Sequence, residues 1–322
     1  MRDESRVDIL LATYNGEGYL AEQIESIISQ SYSNWRLLIS DDCSTDHTVE
    51  IIKTFTKADR RISLVSKNIS HGSAKDNFES LLKICDSQYV MFCDQDDVWK
   101  TDKIRDSLRC LKEKEKEYHE ETPLLVFCDM EVVDSALNPI ATSFERYSNF
   151  DFKKINLKRI LTQNIVAGCC MIFNKPVVNL FKDSKEPRYQ EMHDWWIALI
   201  AASFGYIFFL DKALSLYRQH GNNQVGAASY SPLKKISKRD LMYNQFQSTM
   251  RQASSFLSCF GDRLDENSRY CISEYIKAGE SESFLIAIYH FLKSGCWKKG
   301  LRKTGQIVML LLNSRERRKK CC

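Results

Sequence analysis

The chain has 322 residues, 43% hydrophobic and 27% charged, with a formal net charge of +4. That is the make-up of a globular protein with one large domain and an appendage, or two domains, and it argues against a disordered or fibrous chain. No apolar run approaches the roughly 20 residues of a bilayer-spanning helix and the start lacks a signal-peptide pattern, so a cytoplasmic protein is expected.

In chain order, Val7 to Ala12 is an apolar run interrupted only by Asp8 and followed by the turn Thr13-Tyr14-Asn15-Gly16, and Tyr19 to Ser29 places Leu20, Ile24, Ile27 and Ile28 on one helical face. Trp35 to Ser40 is the next strand, stopped by Asp41-Asp42-Cys43-Ser44-Thr45-Asp46, with Ser44 or Thr45 expected to cap the helix that carries Val49, Ile51, Ile52 and Phe55. Arg61 to Ser66 predicts a third strand, Ala74 to Ile84 a helix and Tyr89 to Cys93 a fourth strand. This β-α-β-α order implies a parallel sheet with helices on both faces. Lys103 to Glu117 reads as a helix and Leu124 to Cys128 as a strand. Ile165 to Phe173 carries Gly168 within an apolar run, which suggests a bulge or close backbone approach; Trp195 to Ser203 reads as a helix, and Tyr206 to Leu210 and Ala213 to Tyr217 as two short strands. Beyond Asn222 the chain turns into basic, amphipathic helical sequence, which places a domain boundary near Tyr230. Of the twelve cysteines, Cys85, Cys93, Cys128, Cys169 and Cys170 fall inside apolar runs, where reduced thiols act as small hydrophobes; no Cys-x-x-Cys suggests zinc, and Cys321 and Cys322 have no assigned role.

The segment Tyr89-Val-Met-Phe-Cys-Asp-Gln-Asp-Asp-Val-Trp99 ends a buried strand in three carboxylates, Asp94, Asp96 and Asp97. Like charges this close resist desolvation, and a hard divalent cation, Mg²⁺ or Mn²⁺, relieves them through oxygen ligands. In open parallel sheets ligands bind beyond the carboxyl ends of the strands. Three of the four strands end in polar clusters, at Thr13-Tyr14-Asn15, Asp41-Asp42 and Asp94 to Asp97, so all three should meet on one rim. A solvated acidic turn is the structural alternative.

The opening Ala12-Thr-Tyr-Asn15, the cluster Ser40-Asp-Asp-Cys-Ser-Thr-Asp46, the motif Asp94-Gln-Asp-Asp97 and the late pair His193-Asp194 together resemble the inverting family-two glycosyltransferases of the GT-A fold. Asp-Gln-Asp-Asp-Val-Trp99, Asn164-Ile-Val-Ala-Gly168 and Tyr217-Arg-Gln-His-Gly-Asn-Asn-Gln-Val-Gly226 resemble the rhamnosyltransferase-type branch. The resemblance implies a Rossmann-like, mostly parallel sheet flanked by helices over residues 1–229, with a nucleotide-sugar half at 1–100 and an acceptor half at 101–229, followed by a basic helical region at 230–322. It implies a donor site formed by Thr13, Tyr14 (against the pyrimidine), Asn15, Asp42 (accepting the base N3–H), Asp94, Asp96 and Arg218 (on phosphate charge). Asp96, Asp97 and His220 would hold Mg²⁺ or Mn²⁺, and Asp194 would be the catalytic base, ionised at a helix N-terminus. A helix N-cap is the plain alternative for Asp194. His193 is expected to orient its neighbours, and one of Trp195 and Trp196 to face a sugar. Asp41 is expected to serve its turn, and Lys75 and Asn77 either approach the ribose or phosphate or lie on a solvated face.

The expected reaction moves one sugar, L-rhamnose as the first choice, from a dTDP- or UDP-sugar to a glycan or lipid-linked acceptor. The chain lacks the Gln-x-x-Arg-Trp signature of processive synthases. Sugar-phosphate nucleotidyl transfer and a silent sugar-nucleotide-binding scaffold are the competing classes, the former weakened by the absence of a cation in Thr13-Tyr-Asn-Gly-Glu-Gly18. The basic residues after Tyr230 suit peripheral membrane contact, with a helical cap or homodimer contact as alternatives; no nucleic-acid-binding motif accompanies them.

Overall fold

The computed structural model describes residues 5–66, 69–221, 238–298 and 301–321. In chain order the elements are β1 (Val7–Thr13), α1 (Leu20–Ile28), β2 (Trp35–Asp41), α2 (Thr48–Ala58), β3 (Ile62–Ser66), α3 (Ala74–Ile84), β4 (Tyr89–Cys93), β5 (Val98–Trp99), α4 (Lys103–Tyr118), β6 (Leu124–Val133) and β7 (Pro139–Ala141). There follow α5 (Phe144–Tyr147), α6 (Leu157–Ile160), β8 (Met171–Asn174), α7 (Lys175–Lys182), α8 (His193–Phe204), β9 (Tyr206–Arg218), α9 (Lys238–Phe260), α10 (Glu266–Glu280), α11 (Phe284–Ser294) and α12 (Leu301–Cys321). They form two compact units.

The first unit comprises the described residues up to Lys154, Val166–Lys182 and the described residues from Gly205 to Gly221. Its nine-stranded sheet runs β3-β2-β1-β4-β8-β6-β9-β5, with β7 added to β6. β1, β2, β3 and β4 are mutually parallel, as their alternation with helices requires. All seven residues of β1 are buried, because helices cover both faces of a parallel sheet. The same strand buries Asp8, which Arg36 grips through both carboxylate oxygens while Ser87 donates its hydroxyl. Burial alone would raise this carboxyl, but those hydrogen bonds outweigh it and hold Asp8 below the usual carboxylate range. Leu20, Ile24 and Ile27 of α1 and Leu108 and Leu111 of α4 join one core with β1, β2 and β4.

Several elements differ from expectation. Ser44 and Thr45 do not cap α2; its first N–H, that of Thr48, donates to Asp46 Oδ1, while Ser44 is used between loops. The run Ile165 to Phe173 is a strand only from Met171, because a 3-10 turn at Gly168–Cys170 intervenes. The two short strands at 206–217 are one strand, β9, whose ladder with β6 skips the exposed pair Asp211-Lys212 as a bulge and then resumes. Gly205 opens that strand because a Cβ there would sit 1.8 Å from the Pro123 carbonyl oxygen.

The second unit comprises Ile155–Ile165, Asp183–Phe204 and the described residues from Lys238 onward. It is helical, built on Phe246, Phe256 and Phe260 of α9, Ile272 and Tyr275 of α10, Phe291 of α11 and Leu310 of α12, all buried. The expected boundary at Tyr230 lies outside the described residues. The segments carrying α6 and α8 pack with these helices, although they precede that boundary in sequence. Cys271 and Cys296 place their thiols 3.3 Å apart in this unit, while in the first unit Cys85, Cys93, Cys128, Cys169 and Cys170 are buried free thiols, as expected.

Candidate active site

The three polar strand ends meet on one rim of the sheet. Thr13 pairs with Asp41 across β1 and β2, and Leu11 with Cys93 across β1 and β4, so the loops after all three strands start level. Asn15 adopts the left-handed region at φ 47°, a conformation Asn tolerates better than most side chains. Its N–H donates to Ser44 Oγ at 2.9 Å, its Oδ1 accepts from Thr45 N at 2.9 Å, and Gly16 N donates to Thr48 Oγ1 at 2.8 Å. The first two loops are thus stitched into one surface. Gln95 joins the third: its Oε1 accepts from the Thr13 hydroxyl at 2.6 Å and from Tyr14 N at 3.0 Å, and its amide donates to Tyr14 O at 3.2 Å. A Cβ on Gly16 would fall 2.6 Å from that Oε1, so the glycine is what lets Gln95 lie down on the loop. Tyr14 itself is 55% exposed, an aromatic face available above the rim.

The acids divide by environment. Asp41 is buried and accepts from the backbone and hydroxyl of Ser44, the turn role expected of it. Asp42 is half-buried and its Oδ1 accepts from the backbone N–H groups of His71 and Gly72, which anchors the segment before α3. Asn77 is buried and donates to Ser40 O, and Lys75 pairs with Asp76, so both have protein partners. Asp94, Asp97 and the Cys169 thiol bring their donor atoms within 4.8 Å of one another. Asp97 is fully buried; its Oδ1 accepts from Arg218 N at 3.2 Å, and its Oδ2 is buried without a hydrogen bond among the described residues. Burial, with Asp96 adding repulsion, pushes the Asp97 carboxyl up to about 7, against an opposing pull from the Lys103 ammonium. Lys103 is itself buried, donating to Cys169 O at 2.6 Å and lying 4.3 Å from the centre of the Trp99 ring.

Two groups of expected site residues have protein partners. Asp96, Asp97 and His220 were expected to share a metal; instead His220 Nε2 lies 2.7 Å from Asp96 Oδ2, with the imidazole stacked on Tyr19, and the close donor set is Asp94, Asp97 and Cys169. Arg218 was expected to face phosphate. It is buried: Nε donates to Asp96 O at 2.8 Å, Nη1 to Ser135 O at 2.6 Å, Nη2 pairs with Glu22, and the guanidinium lies over Tyr19. The end of β9 turns it inward, where it braces the acidic loop.

Asp194 belongs to the helical unit, in the first turn of α8, where its Oδ1 accepts from Trp195 N at 2.6 Å. His193 is buried, and desolvation lowers its imidazole to about 3, so it is neutral at physiological pH. Neither tryptophan faces a sugar: Trp195 donates its indole N–H to Ile160 O at 2.6 Å, and Trp196 is wholly buried against Phe256 and Phe260. Gln95, Lys103 and Glu22 were not singled out from the sequence, and Cys169 was read there only as a buried thiol. Gln95 alone carried a signal there, its position between two acids of the motif.

Residues 8–181 match the family described as Glycosyl transferase family 2. The chain belongs to glycosyltransferase family 2. A dTDP-rhamnosyl transferase, RfbG of Shigella flexneri, is 30% identical over 94% of this chain and 98% of that protein. A UDP-Glc:alpha-D-GlcNAc-diphosphoundecaprenol beta-1,3-glucosyltransferase, WfgD of Escherichia coli, is 33% identical over 32% of this chain and 39% of its own. Among solved structures, S. aureus TarS 1-349 in complex with UDP-GlcNAc superposes with a TM-score of 0.55 at 16% identity, covering 98% of this chain and 92% of that one. The mannosyltransferase PcManGT of Pyrobaculum calidifontis, in complex with GDP-Man and Mn²⁺, gives 0.56 at 13% identity, covering 99% and 88%. The family-2 enzyme described here is therefore a glycosyltransferase of GT-A fold with added C-terminal helices. No helix among the described residues is long and apolar enough to cross a membrane.

Proposed function

We propose that this glycosyltransferase moves a single sugar, L-rhamnose in the first instance, from a dTDP- or UDP-linked donor to a glycan or lipid-linked glycan acceptor in cell-surface polysaccharide synthesis, with inversion and with a divalent cation. The similarity to the dTDP-rhamnosyl transferase along nearly the whole of both chains supports the donor. The observation that carries the reading is the acidic cluster at the end of β4: two carboxylates whose oxygens lie within 4.8 Å of each other and of the Cys169 thiol, one of them fully buried.

That donor set fits Mg²⁺ or Mn²⁺. Buried carboxylate oxygens are hard ligands, and their mutual repulsion is what an ion of charge two relieves. Cys169 is a poor candidate ligand for such an ion, since burial, with Asp97 and Asp94 adding to it, keeps its thiol protonated. Asp94 and Asp97 would hold the cation, with Asp96 beside them. When bound, it supplies Lewis-acid stabilisation of the charge that builds on the departing nucleoside diphosphate.

The chain's own residues perform the rest. Tyr14 offers its exposed ring to the base, Asp42 a carboxylate to the base N3–H, and Thr13 and Asn15 shape the loop in which the nucleoside lies. Gln95 keeps that loop in register with the acids. Asp194 takes the proton from the acceptor hydroxyl as its oxygen attacks from the face opposite the leaving group. Its place in the first turn of α8 favours the ionised, proton-accepting form, and a positioned base of this kind contributes roughly 10²–10⁴-fold.

The test is a donor panel with purified protein and Mn²⁺, reading nucleoside diphosphate against pyrophosphate release and the anomeric configuration of the product by NMR. Release of dTDP from dTDP-rhamnose with an inverted product is expected. Pyrophosphate release, or turnover unaffected by EDTA, would overturn the corresponding part of the reading.

A further inference from the structure

Helix α11 is apolar on the side it buries and also on the side it shows to solvent. Ala287, Phe291 and Ser294 face inward. About half a turn away, Leu285 is 80% exposed, Ile286 52%, Tyr289 54% and Leu292 53%. A helix that is hydrophobic all round is normally enclosed, and four large apolar side chains on 11 residues make a patch rather than scattered exposure.

The surroundings specify what covers it. Lys293 lies 4.6 Å from the centre of the Tyr289 ring, and Lys303 lies 4.2 Å from that of Trp297, itself 38% exposed. From Phe284 to the end, the sequence carries ten Lys and Arg against one acid, Glu316. Apolar and aromatic side chains beside cations, with almost no acids, match the boundary between acyl chains and anionic headgroups.

We propose that the outer face of α11, with Trp297, Lys293 and Lys303, docks this enzyme on an anionic lipid bilayer. Leu285, Ile286, Tyr289 and Leu292 would enter the headgroup–acyl boundary while the lysines meet lipid phosphates. The inference extends the acceptor half of the proposed function, because a lipid-linked glycan is presented at such a surface. It is tested without transfer activity, so the two readings fail separately.

The experiment is sedimentation of the full chain with vesicles of phosphatidylethanolamine and phosphatidylglycerol, compared with phosphatidylcholine alone. Partition into the anionic vesicles that falls as salt rises is expected. Leu285→Ser combined with Leu292→Ser should weaken partition by about tenfold or more with an unchanged thermal midpoint, both side chains being exposed. Lys293→Gln combined with Lys303→Gln should weaken it roughly 25-fold at low salt, from about fivefold per cation. Equal partition into neutral vesicles, or no loss in the leucine double variant, would overturn the proposal. So would a leucine double variant that dissociates a dimer in sedimentation equilibrium while still pelleting with vesicles, since the face would then belong to a second copy.

Discussion

Asp97→Asn should stabilise the metal-free enzyme at pH 8 while removing its turnover. In the fold the Asp97 carboxyl is raised from its ordinary 3.8 to about 7, by burial first and by Asp96 second. The sign follows from linkage. Below about pH 4 the carboxyl is protonated in both folded and unfolded chains and adds no penalty. Between about pH 4 and 7 the unfolded chain releases the proton more readily, so the fold loses stability as pH rises; above pH 7 the loss is constant. At about 1.36 kcal/mol per pH unit the full interval is worth about 4 kcal/mol. Part of that belongs to the repulsion shared with Asp96, which leaves roughly 2–4 kcal/mol for the substitution to relieve. The amide keeps an oxygen for Arg218 N–H and places a donor near Asp94 and Asp96. In EDTA at pH 8 the Asn variant should melt higher by roughly 4–10 °C, and its advantage at pH 5.5 should be about half as large. Adding Mn²⁺ should raise the wild-type midpoint and leave the variant's unchanged. A variant that melts lower than wild type at both pH values would refute the reasoning, because the buried carboxylate would then be a structural acceptor and no burden on the apoprotein.

Three further outcomes follow from the same geometry. Gln95→Ala removes three hydrogen bonds that tie Thr13 and Tyr14 to the acidic loop; at about 1 kcal/mol each, discounted for partial exposure, the donor KM should rise roughly 5–30-fold with kcat little changed, and an unchanged KM would show that the loop needs no brace. Asp194→Asn should abolish transfer while calorimetry still finds the donor bound, whereas loss of donor binding would recast Asp194 as structural. Trp196→Ala empties a wholly buried position against Phe256 and Phe260, so it should destabilise the helical unit by about 3–5 kcal/mol in a denaturant titration, and a loss under about 1 kcal/mol would mean that the surrounding core collapses to fill the space.

The first four strands and their polar ends were legible because each strand is a short, mainly apolar run, and three of them stop at acids or turn residues, a contrast that requires no tertiary information. The same contrast put Thr13, Asp42 and Asp94 on one rim. Individual acids were harder to rank. Asp94, Asp96 and Asp97 have the same chemistry in the sequence, yet Asp97 is fully buried, whereas Asp96 has His220 against it. Burial separates them, and burial is set in part by β9, whose Arg218 N–H reaches Asp97 from 121 residues further along the chain. The tryptophan pair failed for a related reason. Apolar residues at a helix start read alike whether they meet a sugar or another helix, and the partners Phe256 and Phe260 arrive about 60 residues later, in α9.

The partners of Arg218 could not be read from its neighbours in sequence. A cation at a strand end, next to a histidine and a glycine, has the local pattern of a phosphate ligand. Its actual setting is fixed by β5, a strand of two residues directly after the acidic motif, too short for any periodicity to reveal. Val98 pairs with Leu216 and Trp99 with Ser215, and this register, together with the β6 pairing of Glu131 with Leu216 and Val133 with Arg218, carries the chain from Leu216 up alongside Asp97 and Asp96. Arg218 N then reaches Asp97, and the guanidinium turns beneath Asp96 to Ser135 and Glu22. The cation is thereby built into the wall that holds the carboxylates together. Arg218 is thus held by Asp96 O, Ser135 O and Glu22 at the edge of the acidic loop, an arrangement set by strand pairing that no local sequence pattern displays.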